Sequence, residues 1–232
     1  MPRSVKIALA AVVVVVLGGA FGFWYLVLRD TAAPEASLAA IEQDAPNQTS
    51  GTPISDPDGT WTVVTGDNIF VGYRIQELFG GETIKKTATG RTPAVSGTLT
   101  VQGNQITSVE IAGDVQQLKS DQSRRDATQK DDGLQTNTFP TATFKLTQPI
   151  TLPAAPAEGV TADVEAVGEL TLHGVTKQVT IPLQASLKDG RINVAGGADI
   201  VLADYSISPP RSGFVNVDDA GVFEVQLAFV KA

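Results

Sequence analysis

Beyond Gly59 the chain alternates apolar and polar residues with a period of two. Ile69, Val71, Tyr73 and Ile75 share one face, while Phe70, Gly72, Arg74 and Gln76 share the other. Leu99 and Val101 alternate with threonine and glutamine, and Val109, Ile111 and Val115 lie on a further face. Val164, Ala166, Gly168, Leu170 and Leu172 repeat the pattern, followed by Val179, Ile181, Leu183, Ala185 and Leu187. Ile192, Val194, Ala198, Ile200 and Leu202 continue it, and Phe223, Val225, Leu227 and Phe229 close it. Successive side chains of a strand point to opposite faces, so the pattern predicts antiparallel strands with one apolar and one wet face. Gly103-Asn104 and Asp189-Gly190 mark turns between the runs. The charged stretch 121–132 lacks the alternation and predicts one short helix.

About eight such strands fit either a sandwich or a closed barrel. Gly168, Ala166, Ala185, Gly196 and Ala198 interrupt the large inward residues, and aromatic content is 6%. Inward faces that small favour an eight-stranded antiparallel barrel with an internal cavity over a filled core. One hairpin is legible in detail. Gly174 as the first central residue of a two-residue type II′ turn pairs Leu170 with Val179, Gly168 with Ile181 and Ala166 with Leu183. That register sets Lys177 opposite Leu172 on the apolar face at the barrel rim, and His173 on the outer face beside the turn.

The N-terminal stretch has another character. Ile7 to Leu28 carries no charge, and a helix of that length spans about 33 Å, enough for a bilayer core. Arg3 and Lys6 precede it and Asp30 and Glu35 follow, which predicts a single transmembrane anchor over residues 1–29 with the N-terminus cytoplasmic. The rival reading is a cleaved signal peptide and a secreted protein; Pro34 after Ala33 makes a poor cleavage site. Residues 30–58 carry prolines at 34, 46, 53 and 57 among small and acidic residues and predict a disordered stalk. Its flexible reach is about 30 Å. The barrel domain is expected over 59–232, outside the cytoplasm.

Charge and chemistry narrow the function. Of a chain total of −8, the first 29 residues contribute +3, leaving −11 on the rest. Such a surface repels phosphate backbones, so nucleic acid is not an expected partner. No cysteine is present and His173 is the one histidine. Disulfides, thiol nucleophiles and histidine-pair metal sites are thereby excluded, and His173 has no GxSxG elbow to work with. Asp131-Asp132 and Asp218-Asp219 read as solvated loop charges. Neither a catalytic set nor a metal site is expected, and the chain does not read as an enzyme.

The run Gly168-Glu-Leu-Thr-Leu-His-Gly-Val-Thr-Lys177, followed by Gln-Val-Thr-Ile-Pro-Leu183, resembles the signature hairpin of the YceI-like family. Arg125-Asp126 and Phe139-Pro-Thr-Ala-Thr-Phe144 resemble it too, and Ala203-Asp-Tyr-Ser-Ile-Ser-Pro-Pro210 is similar to an actinobacterial branch. The resemblance runs from about Trp61 to the end. It implies a lipocalin-like barrel that holds a polyisoprenoid or similar amphipathic chain, an isoprenoid-quinone-like lipid included, and needs no cofactor. Where the family often has a histidine and a leucine shortly after the Arg-Asp pair, this chain has Ala127 and Thr128. The expected ligand contacts are Val71, Tyr73, Ile75, Phe144, Leu170, Leu172, Val179, Ile181, Leu183, Ile200, Leu202, Val225 and Leu227, with Lys177 at the rim either meeting an anionic headgroup or, as lysines more often do, snorkelling its ammonium to water. The role expected is carrier or reservoir for such a lipid. A structural or adhesion domain on a membrane stalk is the alternative, and a hydrolase on the same barrel a weaker one.

Overall fold

The computed structural model describes residues 17–19, 21, 32–43, 54, 56–79, 84–211 and 215–232. Strand β1 (Gly59–Val63) and strand β2 (Phe70–Phe79) both lie along β12 (Val215–Lys231), as two halves of one interrupted strand. Strands β3 (Ile84–Thr92) and β4 (Val95–Gln102) pair with those halves in turn, broken by Pro93-Ala94, where proline supplies no N–H to a ladder. The sheet then runs through β5 (Gln105–Asp114), β7 (Thr141–Leu146), β9 (Val160–Leu172), β10 (Val175–Lys188), β11 (Arg191–Val201) and β12. Trp61 opposite Lys231 and Val63 opposite Phe229 close the ring. The product is an eight-position antiparallel meander shut on itself, the barrel that the alternation predicts. Two short strands lie at its edges: β6 (Lys119–Ser120) beside β3, and β8 (Ile150–Thr151) beside β5.

The hairpin between β9 and β10 keeps the predicted faces but not the predicted register. Leu172 faces Val175, Lys177 faces Leu170, Val179 faces Gly168 and Ile181 faces Ala166. His173 and Gly174 form the central pair, with φ of 50° and 73°. Both are left-handed, as a type I′ turn requires, and histidine is among the residues that tolerate that region. Moving the turn back by one residue shifts the register by two. Every side chain therefore keeps its face, because strand side chains repeat every two residues.

The predicted stalk is corrected over residues 32–43, which lie against the outer wall. Helix α1 (Leu38–Gln43) buries Leu38 and Ile41, three apart and so on one face. Before it, main-chain groups are taken up by barrel side chains. The carbonyl of Ala33 accepts from Arg74 at 2.6 Å, that of Pro34 accepts from Arg91, and the Ser37 N–H donates to Gln226 at 2.9 Å. Glu42 holds Ser186 and Lys188 at the far end. Beneath this strap Glu224 bridges Arg74 and Arg91. Glu224, Gln226 and Asn193 are buried although they stand on the face that alternation marks as wet.

The predicted helix in 121–132 is α2 (Ser123–Asp131). Among the described residues no helix is long and apolar enough to cross a membrane. Most of the predicted span, and residues 44–53 of the predicted stalk, lie outside the described residues.

Candidate ligand-binding site

The inward faces leave the barrel partly hollow. The larger chamber measures about 520 Å³, inside the size range of small-molecule sites. Leu170, Ile181, Leu183, Val225 and Leu227 are among its walls, and the uncharged loop 152–157, exposed but for the half-buried Leu152 and Pro156, forms its mouth. Asp163, at that mouth, is the one charged side chain among the described residues that line it. A smaller chamber of about 140 Å³ lies toward α2. Val71, Ala142 and Phe223 line both chambers and mark the waist between them.

Twelve of the fourteen predicted contacts line this lumen. Phe144, Leu170, Ile181, Leu183, Val225 and Leu227 face the larger chamber, and Val71 faces both. Tyr73, Ile75, Leu172, Ile200 and Leu202 face the smaller one. Lys177 is exposed and lines neither chamber, so the headgroup contact assigned to it has no geometry behind it. Val179 lines neither as well; it packs half-buried against the core. Both sit on the part of β10 that β11 does not reach, since their ladder begins at Leu183.

Small residues do not all open space. The ring of Phe144 lies where a Cβ on Gly168 would stand, 2.5 Å from its Cζ. Leu183 lies over Gly196 in the same way, at 3.0 Å. These glycines let larger neighbours lie flat, while Ala166 and Ala185 border the hollow itself.

The smaller chamber has a polar end. Arg125, Thr128 and Gln129 turn one side of α2 toward it, spaced as a single helix face. Arg125 makes two bonds to Glu77, at 3.0 and 2.8 Å, and a further ion pair with Asp121. Burial works against the Arg125 charge; Glu77 and then Asp121 more than reverse that and hold its pKa above the ordinary value. Gln129 donates to the Tyr73 hydroxyl, whose pKa burial pushes up to about 12. His173, predicted on the outer face, lines this chamber instead. As the first residue of the type I′ turn it folds back over the barrel end, with Nδ1 at 3.1 Å from the Tyr205 carbonyl and the Phe139 ring centroid 4.2 Å away. Sequence reasoning missed Glu77, Thr128, Gln129 and His173 as lining residues. Carrying the parity of Val71, Tyr73 and Ile75 on by one step would have found Glu77. The mouth loop 152–157 has no alternation to betray it.

The model of the YceI-like domain matches residues 61–229. The chain belongs to the YceI-like family. No curated protein matches it. A polyisoprenoid binding domain from Saccharophagus degradans, implicated in plant cell wall breakdown, superposes with a TM-score of 0.57 at 18% identity, covering 74% of this chain and 98% of that one. BcnA of Burkholderia cenocepacia gives 0.51 at 15% identity, covering 67% and 95%. At these identities the likeness is one of fold. In this YceI-like barrel the segments that carry the resemblance converge on the end that holds the smaller chamber. Arg125 ties α2 to Glu77 on β2, while Asp126 accepts from the Ser120 N–H at 2.8 Å and from its hydroxyl at 2.6 Å. Phe139 packs under the His173-Gly174 turn. Together they fasten the helix and the turn over the barrel end.

Proposed function

We propose that this YceI-like barrel binds a polyisoprenoid or similar long apolar chain in its lumen, outside the cytoplasm, and acts as carrier or reservoir rather than as an enzyme. The observation that carries the reading is the lumen wall: two chambers meeting at one waist, apolar along the larger and polar at the far end of the smaller. Each methylene moved from water into such a wall contributes about 0.8 kcal/mol, so about ten would reach micromolar affinity before ordering costs. A bilayer offers the same methylenes a similar environment, so exchange would be nearly balanced, as a carrier needs. The Saccharophagus degradans domain, described as polyisoprenoid binding, supports the ligand class.

In this reading the apolar stretch ending at Leu28 anchors the protein. Residue 32 already lies near the barrel wall, since its neighbour Ala33 donates to Thr89. The three intervening residues hold the barrel within about 14 Å of the bilayer, at about 3.5 Å per residue, instead of on a long free stalk.

Protein purified from its own host and examined by native mass spectrometry should carry one lipid per chain. Ile181→Glu places a charge in the larger chamber, where an unpaired ion is expensive; it should abolish that lipid. Thr180→Glu on the exposed face should retain it. Equal retention in both folded variants would rule out the lumen as the site, and absence of lipid from the wild type would favour a structural domain.

A further inference from the structure

The polar end of the smaller chamber has a definite hydrogen-bonding sense. His173 Nδ1 faces the Tyr205 carbonyl, which can only accept, so Nδ1 carries the hydrogen and Nε2 is a bare acceptor. That Nε2 is buried and has no partner among the described residues. Gln129 spends its amide nitrogen on Tyr73, and its Oε1 is likewise buried without a partner. Two residues lining one chamber therefore each hold an acceptor that nothing among the described residues satisfies, an arrangement native interiors rarely leave standing.

Cations are accounted for in the opposite way. Arg74 and Arg125 are the cationic residues among the chamber's lining. Arg74 binds Glu224 and the Ala33 carbonyl on the outer wall, and Arg125 binds Glu77 and Asp121. A phosphate entering here would have to displace a carboxylate from Arg125 and then lie beside the freed Glu77. Quinone carbonyls and ethers only accept, so they would meet two further acceptors.

We propose that the smaller chamber selects an uncharged head that donates a hydrogen bond, so that the lumen takes a long-chain alcohol in preference to its phosphate ester or a quinone. The proposal rests on the lumen reading above and narrows it to a head chemistry. The chain occupies the larger chamber, the hydroxyl passes the waist at Val71 and Phe223, and Gln129 Oε1 turns slightly to accept the one hydrogen it carries.

Three probes of one chain length separate the terms: geranylgeraniol, its methyl ether and its monophosphate. The ether removes the donor and keeps the chain; the phosphate adds charge. The full chain, stripped of lipid in detergent, is incubated with each at equal concentration, and native mass spectrometry reads the fraction carrying one molecule. The alcohol should be retained at least tenfold better than either analogue. Gln129→Leu should bring alcohol and ether within twofold of each other; if that variant does not fold, the three wild-type values still decide. Retention of the phosphate equal to or above the alcohol overturns the proposal, and so does equal retention of alcohol and ether. Either result leaves the lumen reading intact, because a chain is still held. Retention of none of the three overturns the lumen reading, and the head selectivity with it.

Discussion

Val71 and Gly113 share one place at the waist of the lumen. The Cγ2 of Val71 stands 2.5 Å from where a Cβ on Gly113 would be, with the Thr92 methyl 3.8 Å from the same point. Glycine at 113 is thus a condition for valine at 71. Gly113→Ala should cost about 1–3 kcal/mol as an overpacked site. Val71→Ala should also destabilise, by lost burial. The double variant should cost clearly less than the two together, since the smaller side chain makes room for the added methyl. Urea denaturation of the four proteins measures the coupling; strict additivity would mean that the two residues do not share the waist.

The strap supports a second expectation. Ile41 is 0% exposed on a helix that packs against β10, β11 and β12 of the barrel wall. Ile41→Ala should therefore cost about 2–5 kcal/mol. A chain begun at residue 59 should melt about 5–15 °C below one begun at residue 32, taking about 2–4 °C per kcal/mol for a protein of this size. Equal melting temperatures would show the strap to be a passenger.

Acid should loosen one end of that strap. The Lys188 ammonium, bonded to Glu42, holds the Glu42 carboxyl below its ordinary 4.5, with partial burial opposing and Ser186 assisting. A carboxyl with a depressed folded-state pKa stabilises fully above the unfolded value and loses that contribution as pH falls through the folded one. Amide hydrogen exchange across residues 37–43 should thus quicken below pH 4.5, beyond its intrinsic change, while the β9–β10 ladder keeps its protection. Glu42→Gln should remove the pH dependence. No difference between the two segments would discount the ion pair.

Gly174 combines a backbone and a packing demand. Its φ is 73°, and a Cβ there would lie 2.7 Å from the Phe139 ring. Gly174→Val should cost more than the roughly 1–2 kcal/mol that an L residue loses in left-handed backbone, because the ring must move too. Gly174→Asn, which tolerates that backbone, should show mainly the ring's share. Thermal melts of the two variants would separate the terms.

How far the sequence spoke depended on period. Strands that bury one face repeat every two residues, so the barrel and twelve of the wall residues could be read along the chain. The turn at His173-Gly174 was legible to within one residue, since glycine serves in either type of turn; faces survived that error and partners did not. The strap was not legible. Leu38 and Ile41 are too few to establish a helical period, and the groups that hold residues 33–42 come from β2, β3, β10 and β12. Glu224 and Gln226 alternate as wet residues should, yet they are buried, Glu224 between Arg74 and Arg91 and Gln226 against Ser37 of the remote segment. Lys177 stands outside the lumen for a similar reason: parity gives a residue's face, but the point where β11 leaves β10 decides whether that face still borders the lumen.

The pairing of β1 with β12 also orders events during synthesis. Trp61 emerges from the ribosome long before its ladder partner Lys231, which stands on the last strand of the ring. The Ala232 N–H donates to the Thr60 carbonyl, and Lys231 reaches the Asp56 carbonyl 175 positions away. A nascent chain can build the hairpins in turn but holds an open apolar sheet until β12 has emerged, because the ladder that shuts the ring joins the two strands farthest apart in sequence. A chain stalled or trimmed within β12 therefore lacks its closing stave, and a bulky group attached at Ala232 would press on the joint that seals the vessel.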